Sequence, residues 1–408
     1  MISVEEALAR LLEPLEALPP EQISLVDGLG RVLAQDISAR RTQPPFAVSA
    51  MDGYAVRAVD TRGASEQHPL ELPVVGDVVA GTKSRNGMGP GLAMRIMTGA
   101  PVPAGADAVI PLEKTDRGLA RVRITEPAHS GDSVRRAGED LPAGSPALSS
   151  GAAIGPQQIA LLAAIGRERV LVRPRPRVVV ISTGSELVEV GQQPGFGEVP
   201  DSNSYLLAAA ARDAGADTYR AGIIPDDHSK LLDILESQLL RADILITTGG
   251  VSMGAFDIVK QALSELGTVE FLRVAMQPGK PQGFGHLGDN RVPIFCLPGN
   301  PVSALVSFEV FARPAIRKLL GKRQVQRATV QAVALEGVES PPGVRQYRRG
   351  VLHREANDTY SVSFVGGAGS HLIAAMASAN CLVVIDEAVT EVVAGSRTTV
   401  IPLLLSQR

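Results

Sequence analysis

The stretch Ile244-Leu-Ile-Thr-Thr-Gly-Gly-Val-Ser-Met-Gly254 reads as an apolar strand that runs into a turn of paired glycines and hydroxyls. Asp257 follows, and Pro278-Gly-Lys-Pro281 and Leu297-Pro-Gly-Asn-Pro301 repeat the passage from strand to side-chain-poor loop. Three such transitions at one edge of a parallel sheet, with a lysine and an acid, describe a pocket for a phosphorylated or otherwise anionic ligand. On either side of this stretch, strand and helix alternate from Arg177 onward. Strands are expected at 177–182, 218–224, 242–248, 269–274 and 293–297, and helices at 203–214, 228–240, 256–266 and 302–320. The Val/Ile/Leu runs are continuous rather than alternating, which suits strands covered on both faces. The expectation is an α/β fold built on a doubly wound, mostly parallel sheet domain over 173–325, entered through the Arg173-Pro-Arg-Pro176 linker.

Residues 51–137 and 326–408 carry short β-branched runs between Gly and Pro, and read as two smaller β-rich domains. Residues 1–50 plus 138–172 read as a discontinuous helical domain, in which a helix from Ser3 to Leu12 pairs with one over 156–165. Ser3 and Glu6 have capping-box spacing at the start of the first helix.

A chain of 408 residues exceeds one ordinary core and implies two to four units. Net charge of −3 gives no broad positive field for nucleic acid, and 3% aromatics with no Trp leave little for base stacking. An anionic ligand must then be held by local positive charge. The N-terminus lacks the basic and apolar regions of a signal peptide, and no apolar run reaches the ~18–20 residues that span a bilayer. The reading is a cytoplasmic protein without membrane partners. Cys296 and Cys381 sit far apart in apolar runs and read as buried thiols.

In an α/β sheet of this kind ligands bind outside the carboxyl ends of the strands. Those loops carry Glu186, Asp226, Asp227, Gly249 to Asp257, Lys280 and Asn300. Acids and a lysine around glycine turns suit a Mg²⁺-bridged phosphate, because Mg²⁺ takes a few carboxylates plus phosphate oxygens. Taken singly, Glu186, Asp227 and Asp257 are also accounted for as helix-start acids, and Asn300-Pro301 as plain helix initiation. Gly249, Gly250 and Ser252 offer backbone N–H groups and a hydroxyl to a diphosphate.

Taken as a set, Ser49-Ala-Met-Asp-Gly-Tyr54, Met97-Thr-Gly-Ala-Pro101, Gly138-Glu-Asp140, Ser182-Thr-Gly-Ser-Glu-Leu187, Gly249-Gly-Val-Ser252 with Asp257, Pro278-Gly-Lys-Pro281 and Leu297-Pro-Gly-Asn-Pro-Val-Ser303 resemble the molybdopterin molybdenumtransferase family, which includes bacterial MoeA and the C-terminal half of gephyrin. The resemblance implies an elongated homodimer of four domains with its cleft between subunits. It also implies insertion of molybdate into adenylylated molybdopterin, assisted by Mg²⁺ or a similar divalent ion, with release of AMP. Contact with the upstream adenylyltransferase is a further implied partnership. Position by position, Glu186 and Asp257 resemble metal and diphosphate acids, Asp226 a further rim acid, and Asp52, Thr98 and Asp140 residues beside the active-site cleft. Lys280 and Ser303 resemble groups near the oxyanion, in a pocket completed by Ser370 and either Arg345 or Arg349, and Pro281 and Asn300 resemble further substrate-binding residues. Many relatives have Lys-Pro-Gly-Lys where this chain reads Gln277-Pro-Gly-Lys280. One cation is lost, to be made up by Arg273 or a C-terminal arginine. The alternatives are adenylyl transfer to the same pterin and a non-enzymatic scaffold.

Overall fold

The computed structural model describes residues 1–81, 87–225, 227–249 and 256–403, the side chains of 256–258 excepted. Its largest unit is a six-stranded sheet in the order Asp217–Ile224, Arg177–Thr183, Ile244–Thr248, Val292–Leu297, Pro281–Leu287, Gly267–Arg273. The first four strands are mutually parallel, and the last two join antiparallel. Successive residues of a strand point to opposite faces, and here both faces are apolar. Val178, Val180, Ile244 and Ile246 pack with Leu207, Ala211, Val302 and Ile316 on one side. Val179, Ile181 and Leu245 pack with Leu231, Leu235 and Leu263 on the other. Each such side chain contributes on the order of 1.5–3 kcal/mol by leaving water, which is why the run at 178–181 has no polar member.

Three features differ from the sequence expectations. The strand Pro281–Leu287 was not expected, because Gly283 and Gly285 interrupt its β-branched pattern. Both glycines serve close strand approach: a Cβ on Gly285 would come within 2.0 Å of the Thr268 carbonyl oxygen, and one on Gly283 within 2.8 Å of Phe271. The single helix expected over 302–320 is divided into Pro301–Ser307, a π-helical turn at Phe308–Ala312 and Arg313–Leu319. Pro314 has no N–H for the carbonyl four residues back, and the widened turn absorbs that missing bond.

The third difference concerns the expected helical domain. Helix Val4–Leu12 starts at Ser3, whose Oγ accepts from Glu6 N at 3.0 Å. It does not pair with Pro156–Ala164. Val4, Ala7 and Leu8 lie in the core of the large sheet, whereas Leu162 and Ile165 lie in a separate core with Leu33, Val170 and Val172. That second core is mixed, since Glu21–Ser24, Arg169–Arg173 and Val32–Leu33 form a three-stranded sheet beside the helix.

Residues between 53 and 124 form a five-stranded sheet in the order Ala108–Pro111, Gly53–Val56, Ala93–Ile96, Leu70–Val78, Arg121–Ile124. After 330, the strands Arg345–Arg354, Tyr360–Phe364, Val330–Ala334, Arg397–Pro402 and Cys381–Ile385 pair in turn. Arg345–Arg354 also pairs with Cys381–Ile385, which closes a barrel. The large sheet and the barrel are sewn together. Met276–Gln277 lies parallel to Arg345–Gln346, and Arg345 N donates to Ala275 O at 2.9 Å. Ile2 adds a third thread, donating to Arg273 O and accepting from Ala275 N. Among the described residues no helix is long and apolar enough to cross a membrane.

Candidate functional site

Parallel pairing places the carboxyl ends of four strands, at Thr183, Ile224, Thr248 and Leu297, on one edge of the large sheet. Antiparallel pairing brings Pro281 and Arg273 to that same edge. A cleft of about 590 Å³ opens there, and its walls include Glu186, Asn203, Thr248, Gly249, Pro281 and Asn300. That size is in the range of sites for small-molecule ligands.

Gly249 has φ +92°, and a Cβ there would stand 2.3 Å from the Thr183 carbonyl oxygen. Only glycine therefore lets the strand ends close up at the cleft floor. The Glu186 carboxylate folds over Gly184, where a Cβ would meet its oxygens at 2.6 and 2.7 Å. In the same cleft, Asn203 Nδ2 donates to Thr248 Oγ1 at 3.0 Å and to Gly299 O at 2.5 Å. Among the described residues its buried Oδ1 has no hydrogen-bond partner, leaving one acceptor for a ligand N–H or O–H.

The first turn of the helix that Asn203 opens is anchored by Asp201, a carboxylate only 1% exposed. Asp201 accepts from Ser182 Oγ at 2.9 Å, Ser204 N at 3.0 Å and Ser204 Oγ at 2.5 Å. Arg220 stands 3.7 Å away and also donates to Ser204 Oγ and Glu189. Neither Asp201 nor Asn203 was expected at the site. The signal that could have found them is Pro200-Asp-Ser-Asn203 ahead of an Ala/Leu helix, a helix-start pattern in the loop after the first sheet strand.

Glu186, Gly249, Pro281 and Asn300 are thus brought together. Asn300 reaches further, donating to Ser370 Oγ at 3.0 Å, while Val302 N donates to Ser370 O at 3.1 Å. The Gly369-Ser370 loop of the barrel is therefore seated on the start of helix Pro301–Ser307. Ser303, 5% exposed, lies in that helix's first turn. Arg349 holds the same loop from behind, donating to Gly367 O at 2.6 Å and Gly369 O at 3.1 Å. Arg345 is a different case. It meets Glu5, Asp386 and Glu387, while its Nε makes no hydrogen bond among the described residues.

Lys280 follows the Gln277–Pro278 cis peptide and, among the described residues, its ammonium makes no hydrogen bond or ion pair. Asp52 and Thr98 meet in another unit. Asp52 Oδ1 accepts from Thr98 N at 2.7 Å and Thr98 Oγ1 at 2.8 Å, and the amide bond first and the hydroxyl second hold its carboxyl below the ordinary aspartate range. This pair sits beside the five-stranded sheet, not at the cleft of the large one. Asp140 lies near Gln43, to whose carbonyl its N–H donates at 3.2 Å. Asp226, Gly250 and Ser252, and the side chain of Asp257, lie outside the described residues.

Comparisons with known proteins match this architecture in full. The MoeA N-terminal region (domain I and II) matches residues 2–166, a probable molybdopterin binding domain matches 179–318, and the MoeA C-terminal region (domain IV) matches 331–403. Molybdopterin molybdenumtransferase 1 of Mycobacterium tuberculosis is 45% identical over 97% of each chain. Molybdopterin molybdenumtransferase of Haemophilus influenzae is 35% identical over 98% of each chain. The crystal structure of the molybdopterin biosynthesis MoeA protein from Pyrococcus horikoshii OT3 superposes with a TM-score of 0.85 at 29% identity, covering 98% of this chain and 100% of that one. The three matched regions in order, the identity over nearly the whole length and the shared fold lead to one conclusion: this chain belongs to the molybdopterin molybdenumtransferase family.

Proposed function

We propose that this chain inserts molybdate into adenylylated molybdopterin and releases AMP, a transferase step in molybdenum cofactor biosynthesis. The observation that carries the reading is the cleft of about 590 Å³ at the carboxyl edge of the large sheet, lined by Glu186, the backbone at Gly249 and Asn203, whose Oδ1 has no hydrogen-bond partner among the described residues. The glycine floor lets a diphosphate approach backbone N–H groups, and Asn203 Oδ1 accepts from a ring N–H or a ribose hydroxyl. Lys280, Ser370 and Ser303 form the oxyanion end, with Arg349 positioning the Ser370 loop.

The donors suit a divalent ion of the Mg²⁺ type, since Glu186 and the further sequence candidates Asp226 and Asp257 are all carboxylates and a diphosphate completes an oxygen shell. Among the described residues no group of three His, Cys, Asp or Glu side chains that could hold a metal occurs, and Asp226 and the side chain of Asp257 lie outside them. Glu186 and Asp257 would hold the ion, which when bound offsets diphosphate charge. Asp52, Thr98 and Asp140 stand apart from the cleft in the single chain, which supports a homodimer whose active site is shared between subunits. The flanking regions matched at 2–166 and 331–403 support metal insertion over plain adenylyl transfer to the pterin.

The test is AMP release from adenylylated molybdopterin with molybdate and Mg²⁺. Glu186→Gln and Asp257→Asn should each abolish divalent-dependent release at an unchanged melting temperature. Parental rates in either variant would remove that residue from the metal role.

A further inference from the structure

Arg220, from strand Asp217–Ile224, does not line the cleft, yet its guanidinium meets two segments that do. Its Nε donates to Ser204 Oγ at 2.7 Å, and its Nη2 donates to the Glu189 carboxylate at 3.2 and 3.4 Å. The same Nη2 stands 3.7 Å from Asp201 Oδ2. The Tyr205 ring covers one face of the group, with the guanidinium carbon 3.6 Å from the ring centroid.

These bonds run in one direction. Ser204 Oγ has a single hydrogen, which goes to Asp201 Oδ2 at 2.5 Å, and so its lone pair is turned to Arg220. Each partner of Arg220 also stands close in sequence to a residue with a ligand role. Ser204 follows Asn203, and Glu189 comes three residues after Glu186, just past the two-residue strand Leu187–Val188. That strand pairs in parallel with Val199–Pro200, where Val199 N donates to Glu186 O and Asp201 N to Val188 O, each at 2.9 Å. Glu186, Leu187, Val199, Pro200 and Asn203 all line the cleft. One guanidinium therefore ties the segment that carries Glu186 to the helix start that carries Asn203.

We propose that Arg220 is a positioning residue for the transferase reaction, fixing the Glu186 segment relative to Asn203 and through them the fit of the nucleotide end of the substrate. The proposal rests on the transferase reading above. Arg220 acts through other residues, so its removal falls on substrate binding more than on turnover. Its two arms differ in strength. The Glu189 side chain is 43% exposed and that of Arg220 22%, so water and salt screen their pair. Asp201, 1% exposed, is sealed from water, and the loss of its counter-charge is the larger disturbance.

The experiment uses the full chain, with AMP and Mg²⁺ as the probe in calorimetry and adenylylated molybdopterin with molybdate for turnover. Arg220→Met should raise the AMP Kd and the KM for the adenylylated pterin about tenfold, with kcat within about twofold of the parent. Glu189→Gln should raise the Kd about threefold on its own and add nothing in the Arg220→Met background, where its partner is gone. Arg220→Lys keeps a counter-charge for Asp201 but lacks the fork that reaches Ser204 and Glu189 together. It should melt near the parent temperature and still bind AMP about threefold more weakly, which an ion pair serving stability alone would not do. An unchanged AMP Kd in folded Arg220→Met, with Glu186→Gln weakened, overturns the role of Arg220 and leaves the transferase reading standing. Additive losses in the double variant overturn it too, as does parental AMP binding by Arg220→Lys, even where Arg220→Met is unfolded. A parent chain that neither binds nor releases AMP removes the reading and the proposal together.

Discussion

Replacing Asp201 by asparagine tests how the cleft wall is held. The side chain is 1% exposed and accepts three hydrogen bonds, from Ser182 Oγ, Ser204 N and Ser204 Oγ, with Arg220 at 3.7 Å. Asparagine keeps the shape, but it removes the charge and turns an N–H₂ group toward donors. Hydrogen bonds to a charged group contribute about 1.5–3 kcal/mol, and a carboxylate at a helix start adds about 0.3–1 kcal/mol. Allowing for partial rearrangement, helix Asn203–Ala214 should lose roughly 2–4 kcal/mol of local stability. Native-state hydrogen exchange reads this directly, and at about 1.4 kcal/mol per tenfold the amides of that helix should lose on the order of 30- to 1,000-fold in protection. Because Asn203 opens the same helix and bridges to Thr248 and Gly299, the KM for adenylylated molybdopterin should rise more than kcat falls. A protection change below about fivefold would show that Asp201 is not the anchor argued for here.

The Asp52–Thr98 contact is depressed-acid linkage. Its contribution is present above the unfolded aspartate pKa and is lost as pH falls through the lower folded value, so a pH titration of the Thr98 amide by NMR should show a midpoint below the ordinary aspartate range. Thr98→Val should move that midpoint upward, and an unmoved midpoint would assign the shift to another group. Burial pushes the Cys296 and Cys381 thiols up to about 12. Neither should be alkylated at pH 8 in the folded protein, whereas both should react in denaturant; rapid native labelling of either, detected by mass spectrometry, would contradict their burial.

Local pattern carried far in this chain. The strands near 177–183, 217–224, 244–248 and 292–297, and the helices between them, were legible because an apolar run of four to seven residues bounded by Gly, Pro or Asp has few other uses. The shared edge of Glu186, Gly249 and Asn300 followed from the same alternation, since parallel strands put their carboxyl ends together, whereas Pro281 reaches that edge through an antiparallel strand. Strand Pro281–Leu287 was hidden by the glycines that its neighbours require. Asp201 was hidden because a buried helix-start acid and an exposed one look alike until the Ser182 strand is beside it.

Residue order alone was enough for the periodicity of the α/β unit and the glycine turns at its strand ends, because each is a matter of neighbours within a few positions. Pairing across hundreds of positions belongs to the folded chain. It took helix Val4–Leu12 away from its expected partner, engaged Arg345 with Glu5 and Glu387, and turned Arg349 to the Gly367 and Gly369 carbonyls, while the Arg348 guanidinium has no hydrogen bond or ion pair among the described residues. The three arginines are chemically identical in the sequence. What separates them is which carboxylates and carbonyls the closed barrel and its seam with the large sheet bring within hydrogen-bond reach.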